Sequence, residues 1–122
     1  MHRMYTVRGT PGVTHRILVT DTAQTLEEAG VTLRINDRNP IGAFITVDNM
    51  AKTSQYHVRC TFGDPDSVEP TIVFGHILFA GDSIYLDNPL SVRTFQFINE
   101  TQQNVARLYV TLEYEAGAGI TV

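Results

Sequence analysis

The sequence predicts an all-β domain, an antiparallel β-sandwich of about eight strands with little helix. Of its 122 residues, 36 are threonine, valine or isoleucine. Their β-branched side chains suit a pleated sheet and lose rotamer freedom in a helix. Several segments alternate apolar and polar residues with a period of two, and glycine, proline, asparagine or aspartate separates them at intervals of roughly 8–12 residues. This spacing is typical of a sandwich or a barrel.

Length and composition exclude several classes of protein. A chain of 122 residues has the size of one domain and can bury a core without disulfide or metal staples. The net charge of −4 argues against a nucleic-acid-binding protein, which would carry a basic excess. The hydrophobic content of 43% argues against disorder as the main state. We find no apolar run long enough to span a membrane and no signal-peptide core, so we expect neither membrane insertion nor secretion.

We predict one domain over residues 1–122, with an N-terminal arm at about 1–12 and a short C-terminal tail at about 116–122. Gly9, Pro11 and Gly12 break regular structure in the arm. The glycine-containing tail could pair with a neighbouring molecule. The one stretch with helical character, Thr25–Ala29, is too short for more than a turn or two.

The predicted strands follow the hydrophobic alternation. In chain order they cover residues 14–20, about 31–35, 43–48, 56–62, 71–74, 77–79, 83–87, 93–99 and 105–115. In the clearest of them, one face carries Tyr56, Val58, Cys60 and Phe62.

The longest predicted strand, 105–115, has the most regular alternation. Its predicted core face consists of Ala106, Leu108, Val110, Leu112 and Tyr114. Its predicted solvent face consists of Arg107, Tyr109, Thr111, Glu113 and Glu115.

The sequence offers no convincing catalytic, metal-binding or cofactor-binding site, and we predict that the protein is not an enzyme. The four histidines, His2, His15, His57 and His76, form no pair at the spacing of metal ligands. The acidic loop from Asp64 to Glu69 lacks the glycine and the later glutamate of the known calcium loop, so a solvated loop is the preferred interpretation. The single cysteine, Cys60, lies among apolar neighbours and is predicted to be a buried, unreactive thiol.

A segment of ten residues resembles the cupin jelly rolls. The run from Ile77 to Leu86 is similar to the strand–turn–strand around their Gly-Asp pair, here Gly81 and Asp82. Cupin metal sites need a pair of histidines and a glutamate upstream, whereas the upstream segment here, His57–Arg59, has no second histidine. The resemblance therefore implies a jelly-roll-like sandwich and no metal site, since a fold does not carry its function with it.

A second resemblance covers more of the chain, from about residue 43 to 115. The order of its features is similar to that of small β-sandwich structural proteins of tailed-phage virions. The segments that carry it are Phe44–Asn49, Val58–Gly63, Leu78–Ile84 and Ala106–Tyr114. The family includes capsid decoration (cement) proteins, head fibres and tail appendages, and the resemblance implies no catalytic residue.

This resemblance implies a non-enzymatic decoration protein that binds the outer shell and stabilises contacts between major capsid subunits. Its expected partners are the major capsid protein and further copies of itself, with no nucleic acid, membrane, small-molecule substrate or cofactor. The expected location is the capsid surface, after synthesis in the host cytoplasm. The alternatives are a head-fibre or tail-appendage component with a receptor- or sugar-binding role, for which Tyr85 and Tyr109 are the outward aromatic residues, and a metal-free cupin enzyme.

The distribution of charge suggests how such a protein would attach. The first 20 residues contain Arg3, Arg8 and Arg16 and no acidic residue, whereas the remainder is acidic. We therefore expect these three arginines to contact the capsid or a neighbouring copy, because the planar guanidinium binds carboxylates in a bidentate manner. A terminus with scattered arginines and no such role is the open alternative.

Overall fold

The computed structural model describes residues 10–49, 58–63, 68–99 and 106–115. Its elements are β1 (Thr10–Leu18), β2 (Gln24–Thr25), β3 (Gly42–Asn49), β4 (Val58–Thr61), β5 (His76–Leu78), β6 (Ser83–Leu86), α1 (Pro89–Thr94), β7 (Gln96–Asn99) and β8 (Ala106–Tyr114). The predicted all-β class, with about eight strands and little helix, is confirmed.

The eight strands form two four-stranded antiparallel sheets. We call the sheet ordered β1-β8-β3-β6 the front sheet and the sheet ordered β2-β7-β4-β5 the back sheet. Strands pair first with last throughout: β1 with β8, β2 with β7, β3 with β6 and β4 with β5. This is the order that results when one long hairpin is wrapped around a core, so the sandwich has the jelly-roll arrangement.

The core lies between the two sheets, and β8 is its central strand. The predicted core face of β8, from Ala106 to Tyr114 at every second residue, is fully buried. Val58 and Cys60 of β4 face this layer from the back sheet and are equally buried. These core assignments from the sequence are confirmed, because a strand that is covered on one side shows the period of its pleat in its sequence.

Two predicted strands are wrong. Residues 31–34 form no strand, and Ile35 makes only an isolated bridge to Arg38 across a tight turn. Residues 71–74 are also a tight turn, closed by a bridge between Thr71 and Phe74. In both cases the apolar residues suggested a strand, but a strand needs a neighbour to pair with, and these segments pair only within themselves.

The predicted strand 93–99 is wrong at its start, because Arg93 and Thr94 belong to α1. Asn88 caps this short helix, since its side-chain oxygen accepts a hydrogen bond of 2.8 Å from the Ser91 backbone N–H. Pro89 stands at the first helical position, where its missing N–H costs nothing. The strand β7 starts only at Gln96, after Phe95 has left the helix in an extended conformation.

The edge strand β1 takes in Thr10–Gly12, which the sequence assigned to the arm. Pro11 lies opposite Glu113, and the pairing with β8 shifts between Pro11 and Thr14. Proline and an irregular register are tolerated there because one side of an edge strand has no neighbour to bond. Residues 1–9 and 116–122, the rest of the predicted arm and the tail, lie outside the described residues.

The expected helical turn at Thr25–Ala29 is present as a single turn held by a reciprocal pair of hydrogen bonds. The Thr25 hydroxyl accepts from the Glu28 N–H at 3.1 Å, and a Glu28 carboxylate oxygen accepts from the Thr25 N–H at 2.9 Å. This is the capping-box arrangement, here without a following helix. Within the described ranges, no helix has the length and apolarity needed to cross a membrane.

Candidate functional site

The segment between β4 and β6 exposes an unusual number of large apolar side chains. Of the eight large apolar side chains that are exposed in the described residues, six lie between positions 68 and 79. They are Val68, Ile72, Val73, Phe74, Ile77 and Phe79, and Val73 is the most exposed at 80%. We call these six residues the β5 apolar surface. Exposed apolar residues that are clustered rather than scattered mark interaction sites.

The local backbone explains why these side chains cannot reach the core. Thr71 and Phe74 close a tight turn, and the Thr71 hydroxyl also accepts a hydrogen bond from the Val73 N–H. The turn places Ile72 and Val73 at its tip, where both are exposed. The strand β5 that follows lies at the edge of the back sheet. The signal in the sequence is an apolar run between Pro70 and Gly75 that does not alternate.

A shallow groove of about 360 Å³ runs beside the turn, lined by Arg59, Thr61, Val73, Phe74, Gly75 and His76. The Arg59 guanidinium donates a hydrogen bond of 3.2 Å to the Gly75 carbonyl, which fixes the turn against β4. The His76 ring packs against Phe62, with 5.5 Å between the ring centres. The tip of the turn is thus exposed, while its base is anchored to the sheet.

Glycine at position 75 brings the turn close to β4. Its φ of +128° lies in the region that side chains rarely adopt, and a Cβ there would come within 3.0 Å of the Cys60 carbonyl oxygen. The close approach holds the base of the β5 apolar surface in one position. A surface of fixed shape loses less conformational entropy when a partner binds.

On the front sheet, Glu113 is buried although the sequence placed it on the solvent face. One carboxylate oxygen, Oε1, accepts a hydrogen bond from the Tyr85 hydroxyl at 2.5 Å. The other, Oε2, is buried and has no hydrogen-bond partner. The reason for the burial is Gly42, which lies opposite Glu113 and leaves room for the Tyr85 ring to reach across.

The two tyrosines suggested as a sugar platform lie on the outer face of the front sheet. Tyr85 of β6 is the cross-strand neighbour of Phe44, and Tyr109 of β8 is the neighbour of Thr46. Both tyrosines are half-buried. Because the Tyr85 hydroxyl is engaged by Glu113, Tyr85 has a structural role in the sheet.

The three arginines proposed as attachment points are only partly described. Arg16 lies in β1, opposite Tyr109, and its side chain is exposed. Arg3 and Arg8 lie outside the described residues. The structure therefore places Arg16 at the edge of the front sheet, on the other sheet from the β5 apolar surface.

The remaining sequence candidates do not come together. Burial raises the pKa of the Cys60 thiol to about 12, as expected for a core cysteine. His15 is half-buried in β1, and Glu69 is exposed, whereas His2, His57, Asp64 and Asp66 lie outside the described residues. In the described ranges, no three histidine, cysteine, aspartate or glutamate residues are grouped so as to hold a metal ion.

Comparison of the chain with models of protein families, with curated proteins and with solved structures finds no match.

Proposed function

We propose that this protein is a non-enzymatic structural protein of a phage virion, a decoration protein that binds the outer capsid shell through the β5 apolar surface. A rigid sandwich would span the joint between neighbouring capsid subunits and add contact area there. Each bound copy stabilises only the assembled shell, so binding shifts the equilibrium away from disassembly. The mechanism needs no cofactor.

The observation that carries the proposal is the exposure of Ile72, Val73 and Phe74 on an anchored turn. Soluble monomers rarely expose contiguous apolar patches of more than a few hundred Å². Each of these residues is at least half exposed, and Ile77 of β5 and Phe79, the residue after β5, are exposed as well. A protein surface that covers them would gain hydrophobic free energy, which is the main source of stability in permanent assemblies.

The fold gives separate support. Jelly rolls are a recurrent architecture of viral capsid proteins. The four segments that resemble virion proteins fall on β3, on β4 and the residues after it, on the β5–β6 connection and on β8. They thus contribute to both sheets of one sandwich. A homo-oligomeric state suits this role, because closed symmetric assemblies can match the local symmetry of a shell.

The experiment is a binding assay with undecorated capsids of the phage whose genome carries this gene. The wild-type protein is expected to co-sediment with the shells and to raise their melting temperature. Val73→Asp and Phe74→Ser are expected to abolish both effects, because each places a polar group in the proposed interface. Val13→Asp is the matched control, since Val13 is an exposed valine on β1 of the other sheet. Equal binding by Val73→Asp and the wild type would rule out this surface as the capsid contact.

The alternative is a head-fibre or tail-appendage component that binds a receptor or a sugar. The outer face of the front sheet favours it, because Phe44 and Tyr85 lie side by side there. Copy number per particle separates the two roles, since a shell decoration is present in many copies and a tail part in few. A neighbouring gene for a major capsid protein would also favour decoration.

A further inference from the structure

A cleft of about 200 Å³ lies between the Thr25–Glu28 turn, the Ile35–Arg38 turn and helix α1. Four polar residues line it: Glu27, Arg34, Asn39 and Arg93. Two of these are arginines, from separate parts of the chain. The volume is below the roughly 300 Å³ at which pockets for drug-sized ligands begin, so the cleft suits a ligand of one small ring.

The rest of the lining is apolar and consists of Leu33, Pro40 and Pro89. The two proline rings have fixed backbone torsions, so this part of the lining loses little entropy when a ligand packs against it. Leu33 is held from behind, because the buried Tyr114 hydroxyl donates a hydrogen bond of 2.6 Å to its carbonyl oxygen. The cleft therefore combines charged groups with a rigid apolar surface.

The polar residues stand on equally well-fixed segments. Glu27 lies inside the turn that Thr25 and Glu28 close with reciprocal hydrogen bonds. Arg93 lies in the last turn of α1, whose start is capped by Asn88. The positions from which these side chains reach the cleft are thus set before any ligand binds.

The charges of the cleft are poorly paired within the protein. Arg34 has one contact, 3.7 Å to Asp37, and both side chains of this pair are largely exposed, so it contributes little. Among the described residues, the Arg93 side chain has neither a hydrogen bond nor an ion pair. Glu27 lies beyond ion-pair distance of both arginines. Two guanidinium groups therefore line a concave site, and most of their N–H donors have no partner in the described part of the protein.

We propose that this cleft binds a sugar ring that carries a carboxylate, of the uronic acid class. The carboxylate would be bound by Arg34 and Arg93, because the guanidinium group forms paired hydrogen bonds with a carboxylate. The hydroxyl groups of the ring would donate to the Glu27 carboxylate and exchange hydrogen bonds with the Asn39 amide. The C–H face of the ring would pack on Pro89, which is exposed, and on the small accessible part of the buried Pro40. The inference does not rest on the proposed function, since the cleft lining includes no residue of the β5 apolar surface.

Other ligand classes fit this residue set less well. Inorganic phosphate would use the arginines, but it would leave Glu27 as a repelling charge and the proline surface uncovered. A neutral sugar would use Glu27 and Asn39, but it would leave both guanidinium groups without a counter-charge. A ligand with a carboxylate, hydroxyl groups and an apolar face uses all of the lining.

The test is a titration of the full-length protein with glucuronic acid, followed by amide chemical shifts in NMR. We expect saturable shifts confined to the cleft residues, with a weaker response to glucose and to inorganic phosphate. Arg93→Gln and Arg34→Gln are each expected to weaken binding of glucuronic acid by about tenfold, as for loss of a charge-assisted hydrogen bond. Arg16→Gln is the control, because Arg16 is an exposed arginine on β1, away from the cleft lining. Amide chemical shifts that match those of the wild type at residues away from the substituted position would show that the variants are folded.

Three results would overturn the inference. The first is the absence of saturable shifts at about 10 mM glucuronic acid, a concentration that fills roughly nine-tenths of a site with a Kd of about 1 mM. The second is binding of phosphate as tight as that of glucuronic acid, which would reduce the cleft to a simple anion site. The third is an equal loss of binding in Arg16→Gln and Arg93→Gln, which would place the sugar elsewhere on the surface.

Discussion

The Tyr85 hydroxyl donates a hydrogen bond to Oε1 of Glu113, in the space that a side chain at Gly42 would fill. The Glu113 carboxyl group is buried there, on the front sheet. Glu113 stands at a position of β8 where the alternation assigns a side chain to solvent. Its second oxygen, Oε2, has no partner. The free energy of unfolding depends strongly on this one hydrogen bond, because burying a polar group without a partner is costly.

Tyr85→Phe is expected to lower the free energy of unfolding by about 1–3 kcal/mol, which is the cost of leaving a buried polar group without its partner. The measurement is urea denaturation at neutral pH. Tyr109→Phe is the matched control, since Tyr109 is a half-buried tyrosine on the same face, and its loss of a hydroxyl is expected to change stability by less than about 0.5 kcal/mol. Equal effects of the two substitutions would mean that the Tyr85 hydrogen bond contributes nothing.

Gly42→Ala tests the other half of this arrangement. A Cβ at position 42 would lie 2.8 Å from the Leu86 carbonyl oxygen and 3.1 Å from the Tyr85 hydroxyl oxygen. The clash is expected to destabilise the protein by about 1–3 kcal/mol, as other overpacked substitutions do. Gly12→Ala in the same sheet is the control, because its nearest contacts are 3.4 Å away. A Gly42→Ala protein as stable as Gly12→Ala would show that the front sheet can relax around the methyl group.

The sandwich itself was predictable from the sequence because its central strands are covered on one side. In β8 every second residue is buried from Ala106 to Tyr114, and this periodicity is visible in the sequence. The errors lie where the chain pairs only with itself or changes element. The start of α1 was missed although Asn88 and Pro89 are a helix-start signal, because the phenylalanines at 95 and 97 gave a strand pattern.

The candidate sites were less predictable than the fold. Glu113 is buried because Gly42 and Tyr85, which are far from it in sequence, meet it across the sheet. The cleft likewise brings together Arg34 and Arg93 from distant segments, and whether both line it depends on the position of α1. The β5 apolar surface did leave a trace in the sequence, the non-alternating run before Gly75, but a short apolar run is compatible with a buried strand as well.

The buried thiol of Cys60 predicts a dependence of stability on alkaline pH. Burial raises the pKa of this thiol from its ordinary value of 9.0 to about 12 in the folded state. As the pH rises, the unfolded chain therefore loses this proton before the folded protein does. The contribution of the protonated thiol to the free energy of unfolding is complete below about pH 9 and is lost as the pH rises toward 12.

We expect the free energy of unfolding of the wild type to fall more steeply with pH above 9 than that of Cys60→Ala, by at most about 1.4 kcal/mol per pH unit. Urea denaturation at several pH values measures the difference in slope. Burial also raises the pKa of Tyr114, but this effect is common to both proteins and cancels in the comparison. Parallel slopes, or rapid labelling of the native thiol by a maleimide, would contradict the burial of Cys60.

If the protein decorates a capsid as proposed, its basic N-terminal segment predicts salt-sensitive binding. Deletion of residues 1–9 removes none of the described pairs between β1 and β8, which run from Thr10 to Leu18. The truncated protein is expected to fold as the wild type does but to lose Arg3 and Arg8. If these two arginines make exposed ion pairs with the shell, binding weakens by roughly 0.4–2 kcal/mol, which is about 2- to 30-fold.

The measurement is co-sedimentation with undecorated capsids at low and at high salt. The difference between the full chain and the truncated protein is expected to be largest at low salt and to shrink as ions screen the pairs. Arg16→Gln in the full chain is the companion variant. It removes one exposed arginine of β1 and leaves residues 1–9 in the chain. If the truncated protein binds shells as tightly as the full chain at low salt, the arginines of the segment do not contribute, and attachment depends on the β5 apolar surface alone.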